Sequence, residues 1–280
     1  MPDTQEDGKP FQLTEEEERR AEEATSMAAV VVHEALRKEG ESELARPTSA
    51  LAWSGLAAGL SMGFTLFAEG LLQAHLPDLP WRPLITKFGY TIGFLIVILG
   101  RQQLFTENTL TVILPLLSRR DSTTLANVAR LWSVVLVANL IGVWLFTLAL
   151  RGPAFEPQVL DSFRQIGREA MAPGPLVIFF KAIFGGWLIA LMVWLLPGSE
   201  SSRLPTIIII TYLVGLGKMA HVIGGSAETL YLATTGEIGY VDYLLNFFIP
   251  TLGGNIIGGV ALVAALNHAQ VVAGKRKEHR

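Results

Sequence analysis

Six apolar stretches, 49–72, 84–117, 127–150, 176–196, 204–235 and 243–268, divide the chain. Each is at least as long as the roughly twenty residues that carry a helix across a hydrocarbon core. The second and fifth exceed one straight helix, and polar residues interrupt both near the middle. The second contains Gly100-Arg101-Gln102-Gln103-Leu104-Phe105-Thr106-Glu107-Asn108, polar on both sides of one Leu-Phe pair. The fifth contains Gly217-Lys218-Met219-Ala220-His221-Val222-Ile223-Gly224-Gly225, where three glycines permit non-helical backbone. A lipid-facing helix does not tolerate these side chains, at about 3 kcal/mol per charge. The pattern therefore predicts an all-α membrane protein of six transmembrane helices, with helices two and five broken. At that depth each break must be buried in protein or line a cavity.

The chain also repeats itself. Ala138-Asn139-Leu140-Ile141-Gly142 returns as Gly254-Asn255-Ile256-Ile257-Gly258, an offset of 116 (255 minus 139) that carries Thr106 to position 222, beside His221. Matched interruptions in two halves of three spans each predict an inverted 3+3 repeat with a mid-membrane pathway between the breaks. Asn139 and Asn255, next to glycines, are read as structural: they hydrogen-bond the exposed backbone of a broken neighbour. Gly55, Gly59 and Gly63 on span one, and Gly254 with Gly258 on span six, are spaced for close helix contact. The charges at the breaks leave two readings open. Arg101 and Lys218 draw anions toward an entrance, or Arg101 pairs with Glu107 and Lys218 with Glu228, locking the breaks as neutral pairs.

Basic residues set the orientation. Arg37, Lys38 and Arg46 before span one, Arg119, Arg120 and Arg130 after span two, Arg203 before span five, and Lys275, Arg276, Lys277 and Arg280 at the end fall on one side of six crossings. That side is expected to be cytoplasmic, with both termini inside a cell (inner) membrane. Arg151, Arg164 and Arg168, between spans three and four, weaken the bias without reversing it. Residues 1–46 form a cytoplasmic tail with an amphipathic helix over 14–38, started by a Thr14/Glu17 capping box, whose Met27, Val30, Val31 and Leu36 rest on the mouth or the membrane. Residues before Phe11 read as disordered. Residues 47–270 form the channel domain, and 271–280 a basic tail.

Composition narrows the chemistry. Half the residues are hydrophobic and mean hydropathy is +0.41, which excludes an ordinary soluble domain. The net charge of −3 lies in tails and loops, so no nucleic-acid surface is marked. With no cysteine there are no disulfides, Fe–S clusters or thiolate metal sites. The five histidines, His33, His75, His221, His268 and His279, have neither the spacing of a zinc site nor the company of a catalytic triad. No enzyme, metal or cofactor is expected.

Leu104-Phe105-Thr106, the break at His221, and Pro250-Thr251-Leu252-Gly253-Gly254-Asn255-Ile256-Ile257-Gly258-Gly259 resemble the signatures of the formate/nitrite transporter family. The likeness runs from about Arg46 to Ala265. Within the family the chain looks like the divergent YfdC-like branch. The resemblance implies an aquaporin-like fold, a homopentamer with one pore per subunit, and passage of small monovalent anions such as formate or nitrite. It places Leu104, Phe105 and Thr106 on a pore loop and makes His221 the central histidine. It sets one apolar constriction near Phe105 and Val214 and the other near Tyr90 and Phe94. Two departures stand out: Met219-Ala220-His221 replaces the family's Phe-Glu-His, and Ala190 replaces a pore asparagine.

An anion in an apolar constriction loses hydration, so the path must offset its charge or protonate it. His221 is placed to donate a hydrogen bond or a proton at the centre. Two other readings stay open: a neutral-solute channel of aquaporin type, though Asn-Pro-Ala repeats are absent, and a non-conducting scaffold or sensor that keeps the fold.

Overall fold

A computed structural model describes Thr14 and residues 29–278, apart from the side chains of residues 200 and 274–278. Helix α1 (Ala29–Ala45) leads into α2 (Thr48–His75), the first crossing. The second crossing is divided into α3 (Arg82–Leu99), a non-helical loop, and the short α4 (Asn108–Thr111) and α5 (Ile113–Arg119). The third is α6 (Ser122–Leu150); α7 (Pro157–Met171) follows, and α8 (Pro175–Leu195) is the fourth crossing. The fifth is divided again, into α9 (Arg203–Leu216) and α10 (Gly224–Thr235). The sixth crossing, Tyr240–Ala273, contains α11 (Tyr240–Tyr243), α12 (Ile249–Ile256) and the start of α13 (Leu266–Glu278), joined by π-helical turns. Among the described residues five helices are long and apolar enough to cross a membrane, α9 is a shorter apolar one, and both expected breaks are present.

Local chemistry sets the boundaries. Arg120 turns left-handed (φ 54°) to end α5, and Asp121 caps α6, accepting from the Thr124 N–H at 2.8 Å and its hydroxyl at 2.7 Å. Span three therefore starts five residues before its apolar pattern does (127 minus 122). Pro250 lacks the N–H that would bond the Asn246 carbonyl, and the helix widens into a π-turn over Leu244–Phe248 just before it. The sequence pattern gave no hint of α7. It begins with Pro157 and buries Val159, Phe163 and Ile166, one face of a helix. Its Arg164 and Arg168 both pair with Glu237, and Arg164 also with Asp161, so these arginines are matched by acids.

Small residues seat the crossings against each other. A Cβ on Gly59 would strike the Asn139 carbonyl and one on Gly142 the Leu56 carbonyl, closing α2 on α6; Gly63 faces the Phe146 ring. Gly186 against the Asn255 carbonyl and Gly258 against that of Ile183 do the same for α8 and the sixth crossing.

The first half of the expected 14–38 helix lies outside the described residues, Thr14 apart. From Ala29 the helix runs on to Ala45, seven residues past Lys38. It buries Val32, His33, Leu36, Gly40 and Leu44 against the bundle, while Val30 and Val31, expected with Leu36 on the mouth or the membrane, point outward from the bundle at 40% and 51% exposure. Gly40 sits on the Thr111 carbonyl of α4, and Arg130 of α6 donates to the carbonyls of Leu44 (2.7 Å) and Arg46 (3.1 Å).

Candidate functional site

Each broken crossing stops in the same way. After α3, the Arg101 N–H donates to the Ile98 carbonyl (3.3 Å) and the Gln102 N–H to that of Val97 (3.0 Å). After α9, Lys218 donates to Gly215 and Met219 to Val214, each at 3.0 Å. These are paired Schellman caps. The left-handed residue, normally glycine, is Arg101 (φ 50°) in one and Lys218 (φ 49°) in the other. The glycines expected to supply the irregular backbone of the fifth crossing do not: Gly217 has φ −73°, and Gly224 and Gly225 serve close approach, to the Tyr90 hydroxyl and the Phe247 ring.

Asn139 and Asn255 bridge the loops with matching bonds. Asn139 Oδ1 accepts from the Phe105 N–H (3.0 Å), while its Nδ2 donates to the carbonyls of Gly55 (2.7 Å) and Gln103 (2.9 Å). Asn255 Oδ1 accepts from the Val222 N–H (2.8 Å), and its Nδ2 donates to Ala182 (2.7 Å) and Ala220 (3.0 Å). Both asparagines are fully buried. The equivalence corrects the expected register: Phe105 matches Val222, an offset of 117 (222 minus 105), while the asparagines keep 116. Thr106 therefore corresponds to Ile223, and Leu104 to His221.

The loops meet at one hydrogen bond. Thr106 Oγ1 lies 2.7 Å from His221 Nε2, and the Gly224 N–H, which can only donate, lies 3.0 Å from His221 Nδ1. Nδ1 thus carries no proton. The ring is the Nε2–H tautomer, which donates to Thr106 and leaves the threonine hydroxyl hydrogen to point elsewhere. Phe94 stands edge-on to the imidazole (centroids 5.0 Å apart, 71°), and Leu104 and Phe105 are buried, Phe105 against Trp132. Thr106 and His221 are 1% and 0% exposed.

A cavity of about 540 Å³, counting its open mouth, runs to His221 from the side opposite α1, past Lys87, Tyr90, Val214 and Glu228. Val214 therefore stands with Tyr90 and not with Phe105, because the end of α9 packs on α3, with Gly215 against the Tyr90 ring. Lys218 also lines the cavity but pairs with Glu169 (2.7 Å), not with Glu228. Arg101 is exposed at the other break and forms no ion pair with Glu107 among the described residues. Among the described residues neither Glu107 nor Glu228 hydrogen-bonds a break through its side chain. Sequence reasoning missed Glu69, Lys87, Glu169 and Lys181. Lys87 is bonded to the buried Glu69, and Lys181 faces the cavity. Three of the four lie inside apolar spans, where an ionisable residue is itself a signal of a site.

A family model described as formate/nitrite transporter matches residues 30–269. The chain is 42% identical over 253 residues to inner membrane protein YfdC of Escherichia coli (strain K12), covering 89% of this chain and 82% of that one. It is 28% identical over 225 residues to Formate-nitrite transporter 3 of Toxoplasma gondii (strain ATCC 50611 / Me49), covering 75% and 44% respectively. Its fold is similar to a pentameric formate channel with formate bound (TM-score 0.66, 18% identity, 78% of this chain and 95% of that chain). It is likewise similar to an ion channel described as of the FNT family (TM-score 0.73, 16% identity, 84% and 96%). Two broken crossings capped alike, joined at one Thr–His contact, and a family match over most of its length identify the chain as a member of the formate/nitrite transporter family.

Proposed function

We propose that the chain conducts small monovalent anions of the formate or nitrite type through a pore in each subunit of a homopentamer, with residues 47–270 as the channel domain and both termini in the cytoplasm. The observation that carries the reading is the Thr106–His221 bond at the foot of a charged cavity. The Gly224 amide fixes the imidazole tautomer, so Nε2–H is spent on Thr106 and the threonine hydroxyl is a hydrogen-bond donor where the two loops meet. A donor without a full positive charge favours an anion or its acid over a cation, and does not trap it. Both side chains are shut from solvent in this conformation, so the permeant species takes the place of one partner as it passes. The membrane homologue from Escherichia coli and the formate-bound pentameric channel support this reading.

The test is formate and nitrite uptake into proteoliposomes by wild type, His221→Phe and Thr106→Val. Both variants should lose most of the flux, and Thr106→Ser, which keeps the donor, should retain it. Unchanged flux in His221→Phe and Thr106→Val would remove this pair from the pathway.

A further inference from the structure

Two histidines far from the pore loops meet although 235 residues separate them. His33 Nε2 of α1 lies 3.0 Å from His268 Nδ1 of α13. The ring centroids are 5.2 Å apart with the planes tilted by 35°, so the two facing nitrogens lie between the rings. His33 is buried and stands edge-on to Trp194 of α8 (centroids 6.4 Å apart, 66°), while His268 is half-buried and followed by the exposed Ala269 and Gln270. One ring is thus anchored in the bundle, and the other reaches water. The expectation of no metal came from spacing along the chain, and a separation of 235 residues carries no motif.

A neutral imidazole carries one N–H and one lone pair, and the N–H can sit on either nitrogen. In the bond between the rings, one facing nitrogen donates to the other. With that N–H moved to the far nitrogen of the donor ring, both facing nitrogens offer lone pairs and no proton is lost. Two nitrogens bound at about 2.0–2.1 Å to a tetrahedral ion stand about 3.3–3.4 Å apart, so the 3.0 Å contact needs to open by about 0.3–0.4 Å to hold one. We propose that His33 and His268 bind one divalent transition-metal ion of the zinc, nickel and copper class, which clips the N-terminal helix to the last crossing. Imidazole nitrogen selects these ions, whereas calcium and magnesium take oxygen ligands. Among the described residues no third His, Cys, Asp or Glu joins the pair, so water completes the shell. Two protein ligands make an exchangeable site, unlike the closed four-ligand shell of structural zinc. The charges nearby do not forbid a cation: Glu34, next to His33, is paired with Arg37, and Arg120, near His268, is exposed and screened by solvent. The ion acts beyond its two ligands because α1 is continuous from His33 to Gly40, which rests on the Thr111 carbonyl of α4. Metal at the histidines therefore holds α1 down on the segment that follows Thr106.

Zinc is titrated into the purified full-length chain, free of any histidine tag, and followed by calorimetry and by thermal unfolding. Wild type should bind one zinc per chain, unfold at a higher temperature when zinc is present, and return to its starting midpoint with a chelator; calcium should change nothing. Removing an outer-shell partner of a metal already costs about 10–100-fold in affinity, so His33→Ala and His268→Ala, which remove a ligand, should each weaken zinc binding by at least about tenfold. His75→Ala, at the exposed end of α2, should bind as wild type does. Electron paramagnetic resonance of added copper(II) separates ligation from a change of fold: wild type should show coupling to two nitrogens and each single variant to one. A wild type that binds no zinc overturns the site, and so does one whose affinity survives replacement of both histidines. A His33→Ala protein whose copper spectrum still shows two nitrogens overturns it as well. Each of these results leaves anion conduction standing, because the site takes no part in permeation.

Discussion

Replacing Asn139 by leucine tests what holds the pore loops. The side chain is fully buried and makes three hydrogen bonds, one of them to the Gly55 carbonyl inside α2. That carbonyl sits where a helix already supplies a backbone donor, so its loss costs little. The Phe105 N–H and the Gln103 carbonyl lie in the loop, where no helix replaces the partner. Two buried polar groups left unmade cost about 1–3 kcal/mol each, so Asn139→Leu should destabilise by about 2–6 kcal/mol. Side-chain hydrogen bonds between membrane helices average about 0.6 kcal/mol, and three of them give about 2 kcal/mol, the same lower edge. Asn255→Leu should cost as much, since it orphans the Val222 N–H and the Ala220 carbonyl in the same way. Unfolding in mixed micelles gives the stability, and formate uptake on the same preparations gives the function. The double variant adds a finer reading: because the two loops touch through Thr106 and His221, its cost should depart from the sum by more than about 0.5 kcal/mol. An Asn139→Leu protein that unfolds within about 0.5 kcal/mol of wild type and conducts normally would show that the loop is held by something else.

Gly59→Ala and Gly186→Ala each drive a Cβ into a backbone carbonyl, which cannot swing aside, so both should cost at least about 1–3 kcal/mol and lower the yield of folded protein on size exclusion. Gly174→Ala, with open space around it, should leave the yield unchanged. Arg101→Gly should relieve the left-handed strain at the first break and raise stability by about 0.5–1 kcal/mol, read by the same unfolding assay; a loss would mean that the side chain holds the loop. The Thr124 N–H and hydroxyl hold the Asp121 carboxyl below its usual value of 3.8, so its contribution to the start of α6 is full above that pH and is lost as pH falls through the lower folded value. Amide exchange near Thr124 should rise selectively in that window, and Asp121→Asn should flatten the response.

Much of the fold was legible because the bilayer penalises ambiguity. A lysine, a histidine and an arginine amid apolar runs admit few arrangements, and the two breaks fall where those residues and the neighbouring glycines stand. The asparagines were legible for a related reason: a buried amide beside small residues has only backbone to bond. The register was not. The asparagines repeat at 116 and the loops at 117, while Gly59 and Gly186, which meet the Asn139 and Asn255 carbonyls, stand 127 apart (186 minus 59). Connections between the crossings differ in length in the two halves, so no single shift aligns them, and a one-residue error moved Thr106 off its true counterpart.

Partner choice was the larger gap, and it has a physical cause. Arg101 with Glu107, and Lys218 with Glu228, are near in sequence, yet Lys218 reaches Glu169 on a helix that the apolar pattern never announced. Which acid meets which lysine depends on how α7 folds over the cavity mouth, and α7 is an amphipathic surface helix with no crossing of its own. The consequence bears on function. Once Glu169 takes Lys218 and Glu69 takes Lys87, Lys181 and Glu228 are the lysine and the carboxyl lining the cavity that form no ion pair among the described residues. A cavity in which every lysine were paired would bind an anion only by exchange.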